Sequence, residues 1–206
     1  MRAVLHLDPD DARRVPWKNG RGVTEELALW PPHASFERGD FEWRISKARI
    51  EDGGPFSNFE HHDRILVVTA GDGLVLDHGS SAPHVRLRRL EPYRFRGDWP
   101  TAAELTRGAV SDFNVITRRD AVEANVEALA LGTRRTREFF GAGHAFVHVL
   151  RGAVTARAVG EEEAFELDAG ESLWIQDTSA EEEVDLAGTA ADCALLVVRI
   201  GPTHDR

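Results

Sequence analysis

The sequence predicts an all-β protein built from two similar units. Three observations carry this expectation. Short apolar or alternating segments recur between turn residues at spacings of about 8 to 12 residues. Almost no stretch sustains the 3.6-residue period of an amphipathic helix. The chain also resembles itself at an offset of 81 residues.

Strands are expected at 23–30, 41–50, 65–69, 74–77, 85–90 and 113–117, and then at 145–150, 154–159, 164–167, 172–175, 184–186 and 194–200. Within 121–131, Val122, Ala124, Val126 and Ala128 alternate with period two, so this segment is read as a strand despite its helix-compatible composition. Near the N-terminus, Asp8 is a capping residue with Pro9 at the first helical position, which predicts one helical turn within 8–14.

When Gly71 is laid on Gly152, residues 65–71 fall on 146–152, a buried strand ending in a glycine turn. Residues 90–95 then fall near 167–173, a second turn followed by a strand. Two homologous β units account for this. A strand, a glycine turn and a strand, followed by an acidic or glycine turn and another apolar strand, is how a cupin jelly roll reads. Any antiparallel β protein supplies such turns, so by this pattern alone a bicupin, two fused RmlC-like jelly-roll barrels, is a candidate fold only. The first covers 1–119, including the N-terminal segment Pro16-Trp17-Lys18-Asn19-Gly20, and the second covers 120–206, with strand exchange between them allowed.

A 206-residue chain with 42% hydrophobic and 29% charged residues is ordinary globular material. Surface scaling lets about 70% of its area be buried. The formal charge of −10 sets up a field that repels phosphate backbones and argues against direct nucleic-acid binding. The longest apolar runs, 65–68 and 193–198, fall far short of the roughly 18 residues of a membrane span. Asp8, Asp10 and Asp11 arrive before any leader-like stretch forms. Cys193, the single cysteine, has no internal partner, and a cytoplasmic location is expected. Glu161-Glu162-Glu163 and Glu181-Glu182-Glu183 read as solvated turns.

Sharper motifs occur in order: Pro16-Trp17-Lys18-Asn19-Gly20-Arg21-Gly22-Val23-Thr24-Glu25-Glu26, Phe41-Glu42-Trp43-Arg44-Ile45-Ser46, Gly54-Pro55-Phe56-Ser57-Asn58-Phe59 with Asp63-Arg64, and Asp112-Phe113-Asn114-Val115-Ile116-Thr117-Arg118-Arg119. Together they resemble the HutD/Ves family over residues 16–119. The resemblance implies a bicupin linked to histidine utilisation, whose members act as small-molecule-responsive modulators and not as established enzymes. The family usually carries three glycines after the asparagine, whereas Gly20-Arg21-Gly22 places a cation in this loop. Glu60-His61-His62 stands where a Pro-Gly turn normally precedes the Asp-Arg pair.

Metal cupins present two histidines one residue apart and then a carboxylate ahead of the turn glycine. Counting seven back from Gly71 reaches Arg64, and the histidine positions fall near Ser57 and Phe59. The second unit offers Ala145, Glu138 and Phe140 at the same places. His144 and His148 share a strand face but sit about 13 Å apart, too far for one ion on an extended strand. No metal or other cofactor is expected.

Arg64 at the former carboxylate position turns the lumen from cation-binding to anion-binding, and a guanidinium fork suits a carboxylate. Arg44 and Ser46 share one face of the 41–50 strand. If that face lines the barrel, Arg44, Ser46 and Arg64 converge on a carboxylate or formyl-type oxygen. The alternative is that these arginines bridge to Asp63, Asp112 or Glu26. Asp112 and Asn114 alternate onto one strand face, which Arg118 would continue. The glycine-flanked loop with Trp17, Lys18 and Asn19 either faces an anion with its amides or is a plain hairpin loop. The resemblance adds Thr24, Glu26 and Phe56 to this candidate ligand-binding set.

The expected ligand is a small anionic metabolite such as urocanate, N-formimidoylglutamate, N-formylglutamate or formate, bound by a protein that is compatible with a homodimer. Two alternatives remain. One is a cupin-fold hydrolase or isomerase using Asp112 or Glu26 as a base beside Arg64. The other is a protein-interaction module whose arginines are structural.

Overall fold

The computed structural model of the chain describes residues 2–17 and 22–203. Among these, ordered secondary structure is β-strand apart from one 3-10 turn at Pro9–Asp11. That turn is shorter than the expected 8–14 stretch. Asp8 caps it through its side chain to the Asp10 amide, but Arg13–Pro16 is already a strand because it pairs with residues 23–26. Among the described residues no helix is long and apolar enough to cross a membrane.

The strands run in chain order as β1 Ala3–Leu7, β2 Arg13–Pro16, β3 Val23–Trp30, β4 Trp43–Ile50, β5 Gly54–Pro55, β6 His62–Ala70, β7 Leu74–Asp77, β8 Val85–Leu87, β9 Tyr93–Arg96, β10 Ala102–Leu105 and β11 Val110–Arg118. They continue as β12 Val122–Ala130, β13 Arg135–Phe139, β14 Gly143–Arg151, β15 Ala153–Ala158, β16 Phe165–Asp168, β17 Ser172–Thr178, β18 Glu183–Gly188 and β19 Ala194–Pro202. The 121–131 segment is thus a strand, as its period-two alternation predicts.

Two compact units result, Ala12–Val122 and a second made of Met1–Asp11 with Glu123–Arg206. In the first, a sheet ordered β2-β3-β4-β11-β6-β9 faces one ordered β5-β10-β7-β8. In the second, the sheets are β1-β17-β14-β19-β12 and β13-β18-β15-β16. Strands β4 to β11 therefore repeat, one for one and in the same sheet positions, as β12 to β19. What differs is the N-terminal segment. The β2–β3 hairpin extends β4 in one unit, and β1 pairs antiparallel with β17 in the other.

Gly71 and Gly152 end the equivalent strands β6 and β14 with φ of 92° and 70°. This left-handed region suits glycine, and at Gly71 an added Cβ would fall 2.6 Å from the Ala109 carbonyl oxygen.

Each unit encloses its own apolar core. The first core is built on Ile50, Leu66, Val68, Leu74, Leu76, Leu87, Phe95 and Val110. The second contains Ala145, Val147, Val149, Val154, Leu167, Leu195 and Val197. Each fully buried Leu, Ile or Val adds about 1.5–3 kcal/mol. Period-two alternation thus fixes which side chains of β4, β6 and β11 point inward, and that inward face carries the candidate site.

Candidate anion site in the first barrel

On β4 the residues in step with core Ile50 are Arg44 and Ser46. On β11 those in step with Val110 are Asp112 and Asn114, and on β6 Arg64 is in step with Leu66 and Val68. Pairing sets them in rows. Ile116 lies opposite both Arg44 and Arg64, Asn114 lies between Ser46 and Leu66, and Asp112 lies between Ala48 and Val68. Glu26 is opposite Ser46 and Thr24 opposite Ala48. One end of the barrel lumen is therefore polar and the other apolar.

Arg44 is held within the protein. Its Nε donates to Glu26 Oε2 at 2.7 Å, both side chains at least nine-tenths buried. Its Nη1 reaches Ser46 Oγ at 3.4 Å, and the guanidinium lies 4.4 Å from the centre of the Phe36 ring. Arg13 also approaches Glu26 at 3.6 Å.

Arg64 is different. Only 5% exposed, it is ringed by Phe56, Phe95 and Phe59 at 5.0, 5.1 and 5.4 Å from their ring centres. Its Nη1 has a long contact, 3.4 Å, to the Ser57 carbonyl. Among the described residues its Nε has no hydrogen-bond partner, and neither has Asn114 Oδ1. Burial lowers the Arg64 pKa to about 10, opposed by the charge of Asp112 and reinforced by that of Arg44.

Asp112 is also buried and accepts a hydrogen bond from the Ala48 amide at 3.0 Å. Burial raises its carboxyl to about 6, against the opposing pull of Arg64 and that hydrogen bond. A carboxyl raised in this way favours the fold while protonated. The contribution is complete below the ordinary pKa near 3.8 and is lost as pH rises through about 6. Asp112→Asn is accordingly expected to gain melting temperature relative to the parent between pH 4 and pH 7, measured by thermal unfolding in matched buffers. A constant difference across that range would remove Asp112 as the titrating group.

The remaining candidates divide. The Trp17 amide donates to the Gly22 carbonyl and its Nε1 to Thr24 Oγ1 at 2.9 Å. Lys18 and Asn19 lie outside the described residues. Phe56 packs on the core and over Arg64. Arg118 is not brought to the cluster, because at the end of β11 its Nε donates to Asp120 at 3.0 Å and Glu42 lies 3.8 Å away. Asp63, next to Arg64, points to the other face and pairs with Arg119 at 2.9 Å. The alternation did not reveal Phe36, Phe59 and Phe95, which shape the surroundings of both arginines. Phe95 depends on the pairing of β9 with Arg64, and Phe36 and Phe59 sit on loops.

The second barrel keeps the architecture without the chemistry. With Gly71 matched to Gly152, Arg64 corresponds to Ala145. The residues opposite Val147 and Val149 are Val197 and Leu195, where the first barrel has Asn114 and Asp112. All three replacements belong to the second apolar core. His144 and His148 point from β14 away from that core. Trp174 Nε1 donates to His144 Nδ1 at 3.4 Å, and His148 Nδ1 lies 2.8 Å from Ser172 Oγ.

Metal cupins need a set of imidazole and carboxylate donors. Among the described residues no three His, Cys, Asp or Glu side chains gather to hold an ion, and a cation stands at the carboxylate position. These residues do not fit a metal.

A family model described as HutD matches residues 9–194. Protein Ves of Cronobacter sakazakii is 36% identical over 147 residues, covering 69% of this chain and 76% of that protein. The structure of HutD from Pseudomonas fluorescens SBW25, in a formate condition, superposes with TM-score 0.80 at 27% identity, covering 98% of this chain and all of that one. A conserved protein of unknown function from Pseudomonas aeruginosa PAO1 gives TM-score 0.85 at 26% identity with equal coverage. A formate complex of Lactobacillus farciminis oxalate decarboxylase matches at TM-score 0.67 and 7% identity over 98% of this chain and 87% of that one, a likeness of cupin fold alone.

Proposed function

The chain belongs to the HutD family, and from that membership we propose that it is a metal-free bicupin that binds a small carboxylate in its first barrel and thereby modulates histidine utilisation. The observation that carries the reading is Arg64, a buried guanidinium whose Nε has no hydrogen-bond partner among the described residues. A buried cation with an unused donor leaves free energy that an incoming anion recovers. Glu26 already compensates Arg44, whereas among the described residues Arg64 has no such ion pair and is opposed in charge by Asp112 on the same inward face. The formate condition of the Pseudomonas fluorescens HutD structure is in keeping with a site for carboxylate oxygens.

The proposed ligands are urocanate, N-formimidoylglutamate, N-formylglutamate and formate. A thermal-shift panel of these acids, with histidine as the amino-acid control, tests the reading. At least one acid is expected to raise the melting temperature in a saturable way. Silence across the panel would overturn the reading. The working location proposed is the cytoplasm, where Cys193 remains a buried thiol.

A second reading, a cupin-fold enzyme, is favoured by Asp112, whose raised carboxyl exchanges protons near neutral pH. Loss of substrate signals in proton NMR of the panel acids with catalytic protein would select it.

The apolar equivalents in the second barrel make that unit a scaffold in this proposal. Substituting His144 or His148 with Gln is expected to change ligand affinity less than substituting Arg44 or Arg64. Calorimetric titration of folded variants checks the ranking, and the reverse order would move the site to the second barrel.

A further inference from the structure

The lumen offers more than a cation. Asn114 is nine-tenths buried, and its Oδ1 is an acceptor with no donor among the described residues. The Asp112 carboxylate, further along the same face of β11, has one donor among the described residues, the Ala48 amide, whereas a carboxylate can accept about four hydrogen bonds. An unmet acceptor in a protein interior is as costly as an unmet donor, and here the two kinds are separated in space. Arg64 lies in the row of Ile116, Asn114 is two residues along β11, and Asp112 four. At about 3.4 Å per residue, the first acceptor is about 7 Å from the arginine row along the strand. The aromatic side chains Phe56, Phe59 and Phe95 gather about the cationic end and supply flat apolar walls.

Resting on the carboxylate reading above, we propose that the ligand is an acid that also carries an N–H donor: its carboxylate pairs with Arg64, and its N–H, a few bonds away, donates to Asn114 Oδ1. The site then selects against acids of the same shape that lack the donor. Selection of this kind is strong because a donorless ligand seals the Asn114 oxygen away from water without replacing the lost hydrogen bond. Formate, which has no such donor, fills only the arginine end and binds weakly.

Two probes of matched size and charge separate the contributions. Urocanate has an imidazole N–H, and trans-3-(furan-2-yl)acrylate presents a ring oxygen in its place. Calorimetric titration of the intact protein is expected to give urocanate an affinity at least tenfold higher. In Asn114→Leu the two acids should come within about twofold of one another through weaker urocanate binding, whereas Arg64→Gln should weaken both. Comparable binding of both acids by the parent would overturn the donor requirement and leave the carboxylate reading intact. Should N-formylglutamate bind and neither acrylate, the pair becomes N-formylglutamate and glutarate, and comparable binding of those two does the same. If no acid binds, both fail together. The parent comparison does not depend on whether Asn114→Leu folds.

Discussion

Arg64→Gln is expected to lower affinity for the best panel acid by roughly 10-fold to 150-fold, the loss of one charge-assisted contact of about 1.5–3 kcal/mol. Arg64→Lys should recover part of that, because an ammonium keeps the charge but cannot form the two parallel bonds of a guanidinium. The unliganded protein should behave in the opposite sense. Burial pulls the Arg64 pKa down to about 10, which means that the buried surroundings disfavour the charge. Removing it should hold or raise the melting temperature while binding collapses. Gains in stability bought with lost function mark a residue kept for its ligand. Titration and thermal unfolding of both variants measure the two effects, and parent-like affinity in both would make Arg64 structural.

Glu26 should show the reverse signature. Its 2.7 Å pair with Arg44 is buried on both sides, and removing one member of such a pair leaves an uncompensated charge at a cost of about 3–5 kcal/mol. Glu26→Leu is therefore expected to lower the unfolding free energy by that amount in urea titrations. Replacing both residues, as in Glu26→Leu with Arg44→Met, should restore most of it, since a well-packed apolar pair often equals a buried ion pair. If the double substitution is as unstable as the single, Arg44 contributes through Ser46 and Phe36 contacts more than through its charge.

The two arginines look alike in the sequence, and the period of two places each on the inward face of its own strand. Their separation into a paired and an unpaired cation depends on the register that sets Glu26 opposite Ser46, which is a long-range fact. Strands with an apolar face read well: 23–30 and 74–77 match the observed strands to the residue. β13 escaped because its pattern is alternately exposed and half-buried, with Arg135, Arg137 and Phe139 exposed, and β5 is only two residues long. Continuing the alternation to Arg118 runs to the end of β11, where Asp120 and Glu42 hold its side chain. The Phe59 and Phe95 rings about Arg64 needed a loop path and a strand pairing that local periodicity does not contain.

The pairing of β1 with β17 joins Ala3 to Gln176, residues far apart along the chain. During synthesis the segment made first must wait, unpaired, until its neighbour has left the ribosome. Contacts this distant in sequence carry a large loop-closure entropy and slow the search for the native state. Until that pairing forms, the outer edge of β17 is an open template for strands of other chains.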